Sequence, residues 1–152
     1  MASALAAIKV ERRSVAVAVF SNRHLEYTQV RQLSSVPEKA DATTAGFVNW
    51  ILVTFDVATT ALDQARNGSE LRRVQLSEVV LATLRDAGVP VWEAPKRELF
   101  EAYGAPPLKT RKELREVVKS IWPILNGRNG DGGILDAVAL GLYFQTERLF
   151  HQ

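Results

Sequence analysis

The stretch from Leu5 to Leu33 constrains this chain most. Leu5–Val10 (LAAIKV) is almost wholly apolar, Ser14–Phe20 (SVAVAVF) is valine-rich, and Leu25–Leu33 (LEYTQVRQL) mixes apolar and polar positions. Runs of this kind favour strands, and mixing of apolar with polar positions marks a strand with one wet face. The links are short, Glu11-Arg12-Arg13 and Ser21-Asn22-Arg23. Links this short join strands antiparallel, because a parallel pair needs a crossover of about a dozen residues or more. The chain therefore opens on a three-strand antiparallel meander.

Beyond Val36 the periodicity changes. Phe47, Trp50, Ile51 and Phe55 fall on one helical face of a helix over 37–55, with Trp50 in the core. Val57–Leu62 predicts a fourth strand that ends at Asp63. Asn67-Gly68 breaks the chain, and Ser69 caps a helix with apolar positions Leu71, Val74, Val79, Val80 and Leu84, closed by Gly88. Val89–Glu93 is a fifth strand and Pro95–Tyr103 a short helix. Thr110 and Glu113 form a capping box for a helix over 111–122, with the stripe Leu114, Val117, Val118 and Ile121. Pro123 ends it, 126–133 is a glycine-rich loop, and a last helix runs from about Ile134 to Phe150. A meander followed by alternating helices and strands implies an α/β fold, with one mixed sheet covered by helices on both faces, in a single domain over 1–152.

Composition narrows the chemistry. The 152 residues include no cysteine and two histidines, His24 and His151. Disulfides, thiolate metal sites and cysteine nucleophiles are excluded, and a histidine-rich zinc site or a catalytic triad is implausible. No apolar run approaches the ~20 residues of a membrane span, and Met1–Ala7 is too short and lacks the basic start of a signal peptide. A cytoplasmic protein is expected. A net charge of +2 permits a nucleic-acid partner without requiring one.

Carboxylates remain. Asp63 closes a strand, Asp136 lies in the first turn of the last helix, Glu11 follows the first strand, and Asp131 precedes the last helix. Acids converging from separate elements suit Mg²⁺ or Mn²⁺, which take oxygen ligands and keep several waters. Each acid also has an ordinary reading: Asp136 complements a helix dipole, and Asp63 and Glu11 are turn acids.

The order of elements and several segments resemble the ribonuclease H-like fold, and within it the RuvC-type Holliday-junction resolvases. Ala7-Ile8-Lys9-Val10-Glu11 resembles that family's Gly-Ile-Asp-Pro-Gly opening, and Asn22–Ser34 its third strand. Ala61-Leu62-Asp63 stands where the family carries a glutamate after a hydrophobic strand. Asp136-Ala137-Val138-Ala139-Leu140-Gly141 resembles its Asp-Ala-Leu-Ala-Ile-Ala helix, and Lys96–Ile121 its basic loop and helix. The resemblance spans nearly the whole chain and implies Mg²⁺-dependent phosphodiester hydrolysis on structured DNA by a homodimer. Asp63 and Asp136 would be metal ligands, Glu11 a third catalytic acid, and Lys109, Arg111, Lys112 and Arg115 phosphate contacts. The helix face from Phe47 to Phe55 is the candidate dimer interface.

Two positions depart from the pattern. The family's first aspartate falls on Lys9, which places a positive charge where a cation should bind. Its second acid on the last helix falls on Gly133. Glu11 lies two residues beyond Lys9, ~6.6–6.8 Å along a strand but on the same face. These departures favour a rival reading, a ribonuclease H-fold binding or scaffolding domain without a metal site, in which Lys9 pairs with Asp63 and Asp136. Lys112–Glu116 would then be an ordinary surface pair. A sugar-kinase-like or actin-like half domain fits less well, since Glu11-Arg12-Arg13 lacks the glycine of a phosphate-binding hairpin.

Overall fold

A computed structural model of the chain describes residues 4–63, 70–125 and 132–150. Three strands come first: β1 (Ala4–Val10), β2 (Ser14–Ser21) and β3 (His24–Gln32). Their pairing is antiparallel, as the short links require. Asn22 and Arg23 both adopt positive φ, 50° and 71°, the geometry of a tight two-residue hairpin turn. Helix α1 (Pro37–Thr54) leads to β4 (Val57–Asp63), α2 (Leu71–Asp86) and β5 (Val91–Ala94). Helices α3 (Lys96–Tyr103), α4 (Arg111–Ile121) and α5 (Gly132–Phe150) complete the chain, with a short 3₁₀ turn at Pro123–Leu125. The sheet order is β3-β2-β1-β4-β5, with β4 parallel to β1 and β5 parallel to β4.

The two-residue alternation of β1 and β2 separates two cores. Ala4, Ala6, Ile8 and Val10, with Val15, Val17 and Val19, pack under α1 and α2. Leu5 and Ala7, with Ala16, Ala18 and Phe20, pack under α3, α4 and α5. Helix α5 lies on this second face and comes closest to β2 at Gly141, beside Phe20. A Cβ at Gly141 would lie 2.3 Å from the Phe20 ring, so only glycine fits there without displacing a buried aromatic.

Several expected details differ. Trp50 is 47% exposed rather than in the core; its ring lies on the outside of α1 beside Tyr27 and Phe55. Phe47, Ile51 and Leu52 are core, so most of the proposed dimer face is already covered, and Trp50 and Val53 are what α1 leaves outside. Leu71 and Ile121 are also exposed; they are the first residue of α2 and the last of α4. The Asn67-Gly68 break, the Ser69 cap and most of the 126–133 loop lie outside the described residues. The α2 cap that is seen is Glu70, whose carboxylate accepts from the backbone N–H groups of Arg72 and Arg73. Only half of the α4 capping box forms. Thr110 accepts from the Glu113 N–H, but the Glu113 carboxylate turns to the Lys109 N–H. Among the described residues no helix is long and apolar enough to cross a membrane.

Candidate functional site

Period-two alternation also places the site. Ile8 pairs with Leu62 in the parallel β1–β4 ladder, so the next residues, Lys9 and Asp63, lie side by side at the carboxyl ends of both strands. Both fall on the face of Ala7 and Ala61, the face covered by α4 and α5. Crevices outside the carboxyl ends of parallel strands are where open α/β sheets bind ligands. Asp136, in the first turns of α5, reaches the same point from above.

The acids are deeply buried, with side-chain exposures of 5% for Asp63 and 1% for Asp136. Both are held by cations. The Lys9 ammonium donates to Asp63 Oδ2, and the Arg73 guanidinium donates to the same oxygen at 2.6 Å. Arg115 grips Asp136 with two bonds, Nε to Oδ1 at 3.1 Å and Nη2 to Oδ2 at 2.9 Å, the bidentate geometry of a strong ion pair. Arg111 spans the two acids, 3.4 Å from Asp63 and 3.8 Å from Asp136. Glu11 lies 3.9 Å from the Lys9 ammonium. Arg73 is anchored further by donating from Nε to the Val10 carbonyl at 2.8 Å, which ties α2 to the end of β1.

Burial pushes the Lys9 pKa down, and Arg111 and Arg73 push the same way; Asp63 offsets only part of this. Burial raises the Asp63 carboxyl, but Lys9, Arg111 and Arg73 together outweigh it and hold the group below the usual carboxylate range.

Asp63 and Asp136 share Arg111, and Glu11 reaches the cluster only through the Lys9 ammonium. Asp131 lies outside the described residues. Lys9 meets Asp63 but not Asp136, whose partners are Arg115 and Arg111. The four basic residues of the 109–115 segment divide. Lys109 and Lys112 are exposed, whereas Arg111 and Arg115 turn inward to the carboxylates. Glu116 pairs with Lys119 at 3.5 Å rather than with Lys112. Trp92 packs on Tyr143 and Phe144, and Trp122 on Phe20, as ordinary hydrophobes. His24 is exposed.

Arg73 escaped sequence reasoning, although a signal existed. Arg72-Arg73 puts two cations in the first turn of a helix, the positive end of its dipole, which is unfavourable without anions nearby. Those anions are Asp41 for Arg72 and Asp63 for Arg73.

A divalent-metal centre fits this residue set poorly. Metal ligation needs lone pairs on converging carboxylates, and here those lone pairs accept from ammonium and guanidinium groups. Among the described residues, no group of three or more aspartate, glutamate, histidine or cysteine side chains is arranged to hold an ion. A divalent cation would enter a cluster that already holds Lys9, Arg73, Arg111 and Arg115, where repulsion is strong.

Comparison with solved structures places the architecture. The Thermus thermophilus RuvC structure aligns with a TM-score of 0.79 over 97% of this chain and 96% of its own, at 17% identity. The fold is that of the RuvC-type resolvases. T. thermophilus RuvC in complex with a Holliday junction substrate aligns with a TM-score of 0.76 over 96% of each chain, at 18% identity. The yeast mitochondrial Holliday junction resolvase aligns at 0.66 over 98% of this chain and 82% of its own, at 11% identity. No family model and no curated protein sequence matches the chain. The RuvC-like sheet and helices thus occur here with little of these proteins' sequence, and Lys9 and Asp63 lie at the carboxyl ends of β1 and β4.

Proposed function

We propose that this chain binds branched DNA through its RuvC-like cleft without hydrolysing it. One observation carries the reading: Asp63 and Asp136, the two acids the resemblance implies as metal ligands, are paired with the protein's own cations. A metal-bound water is the nucleophile that resolvase chemistry would need, and here a lysine and three arginines take up the carboxylates that would hold the ions. The structures of similar fold that carry a Holliday junction support DNA as the ligand. The exposed Lys109 and Lys112 support phosphate contacts along the rim. A four-way junction has two equivalent halves, so a dimer is the fitting assembly, and Trp50 and Val53 are the apolar residues α1 keeps exposed for a second copy.

The test is a synthetic four-way junction, with linear duplex of the same sequence as control, run with and without Mg²⁺ or Mn²⁺. Junction binding stronger than duplex binding, with no strand scission in either metal, is expected. Scission by the unmodified chain that disappears in Asp136→Asn would overturn the proposal in favour of a metal-dependent resolvase. Sedimentation of the complex reports its stoichiometry.

A further inference from the structure

A polar pocket of about 260 Å³ lies outside the acid cluster, lined by Arg12, Arg13, Ser34, Ser35, Glu70 and Arg72. Three separate segments wall it: the β1–β2 link, the β3–α1 link and the start of α2. Hydrogen bonds to the backbone hold these walls together. The Glu11 N–H donates to the Ser14 carbonyl at 2.9 Å and closes the first link, and the Leu33 N–H donates to the Arg13 carbonyl at 2.9 Å and sets the end of β3 beside it. Arg72 Nη2 donates to the Pro37 carbonyl at 3.2 Å and ties α2 to the first residue of α1. Walls fixed before a ligand arrives lower the ordering cost of binding. Neighbouring arginines serve the two places: Arg73 meets Asp63 in the cleft, whereas Arg72 meets Asp41 at 2.6 Å and Gln75 at 3.1 Å.

The pocket has more donors than acceptors. Glu70 is the one acid that lines it, and its two carboxylate oxygens already accept from the N–H groups of Arg72 and Arg73 at 3.2 Å. Its contact with Arg12 is long, 3.9 Å, between side chains that are 45% and 74% exposed. Arg13 is exposed, and among the described residues no carboxylate lies within ion-pair distance of it. Ser34 Oγ accepts from the Val36 N–H at 3.0 Å, which leaves its own proton to donate. Arg12, Arg13 and two hydroxyls thus remain to receive an anion, with the pinned Arg72 behind them. Guanidinium forks match phosphate oxygens, and a phosphate monoester presents three of them with up to two charges. The volume falls just short of the ~300 Å³ at which sites for whole small molecules begin, so the pocket holds a phosphate and little of what carries it. A backbone diester continues on both sides and suits such a closed shape poorly. We propose that this pocket binds a phosphate monoester on Arg12, Arg13 and the Ser34 and Ser35 hydroxyls, carried by a small soluble molecule or standing at the end of a strand. The site is separate from the cleft and does not rest on the DNA-binding reading above.

The experiment follows thermal unfolding of the full chain in inorganic phosphate, in dimethyl phosphate and in sodium chloride of equal ionic strength. At about ten times its Kd, phosphate should raise the melting temperature by about 3–6 °C over the chloride control. Dimethyl phosphate, a diester, should not. Arg13→Gln leaves the backbone bond to Leu33 in place and should weaken phosphate binding about tenfold, the scale of one charge-assisted contact. Arg12→Gln combined with Arg13→Gln should abolish the shift; both positions are exposed, so the fold is retained. Two further arms identify the carrier: adenosine monophosphate, and one oligonucleotide with either a 5′-phosphate or a 5′-hydroxyl. An Arg13-dependent shift with the nucleotide assigns a small molecule, and an Arg13-dependent preference for the phosphorylated strand assigns a strand end. No shift beyond chloride, an equal shift in the double variant, or an equal response to the diester would overturn the site. Inorganic phosphate acting where neither carrier does would overturn the monoester. Absence of junction binding by the unmodified chain would overturn the DNA reading and leave this site standing.

Discussion

Asp63→Asn should cost more than Lys9→Met, although the two side chains form one pair. Removing the Asp63 charge leaves the Lys9 ammonium 4% exposed, with Arg73 and Arg111 repelling it and only Glu11, at 3.9 Å, to answer it. Stranding a buried charge in this way costs about 3–5 kcal/mol. Removing the Lys9 charge leaves Asp63 with Arg73 at 2.6 Å and Arg111 at 3.4 Å, so its carboxylate stays compensated. The loss is then chiefly that of one charge-assisted hydrogen bond, about 1.5–3 kcal/mol, less what the methionine regains by burial. The double variant should recover most of the Asp63→Asn deficit, because the ammonium is gone with its partner. Urea unfolding followed by tryptophan fluorescence gives all four corners of the cycle, and linear extrapolation resolves a difference of this size. If Lys9→Met proved the costlier single change, or if the double variant summed the two losses, the charge arrangement described for the cleft would be wrong.

Acid sensitivity should follow the same pair. The Asp63 pKa is lowered in the folded state, so its stabilisation is complete above the ordinary carboxyl value of ~3.9 and is lost as pH falls through the lowered value. Urea midpoints at pH 7, 5 and 3 should fall more steeply at the acid end for the unmodified chain than for Asp63→Asn. Gly141→Ala places a methyl 2.3 Å from a fully buried Phe20 and should cost about 1–3 kcal/mol, read as a lowered melting temperature. Thr110→Ala removes the bond to the Glu113 N–H at the start of α4 and should cost about 1 kcal/mol by urea unfolding.

The fold was legible where a single period governed a segment. The mixed pattern of 25–33 and the valine spacing of 14–20 lead to strands within one residue of their observed ends. Helical spacing was less decisive. Phe47, Trp50 and Ile51 share a face by number, yet the strip of α1 that meets the sheet is narrow enough to leave Trp50 outside. The site was legible in part. Alternation puts Lys9 and Asp63 on one sheet face, but no local rule brings Asp136 to them, since that depends on how α5 lies across β1 and β2. Arg111 and Arg115 read as outward contacts, although their spacing from Leu114 and Val118 at i, i+3, i+4 and i+7 already placed them beside the buried stripe. A buried stripe ending in arginines implies acids under it, and that inference needed the tertiary partner to be known.

The cation-filled cleft also behaves as a lock with several bolts. Turning Lys9 alone into an acid would set a fresh carboxylate against Asp63 while Arg73, Arg111 and Arg115 still occupied the oxygens. Clearing the arginines first would leave bare acids crowded under α5. Any route from this arrangement to a pair of open carboxylates therefore changes a charge at a buried position first, where folding energy is most sensitive to it.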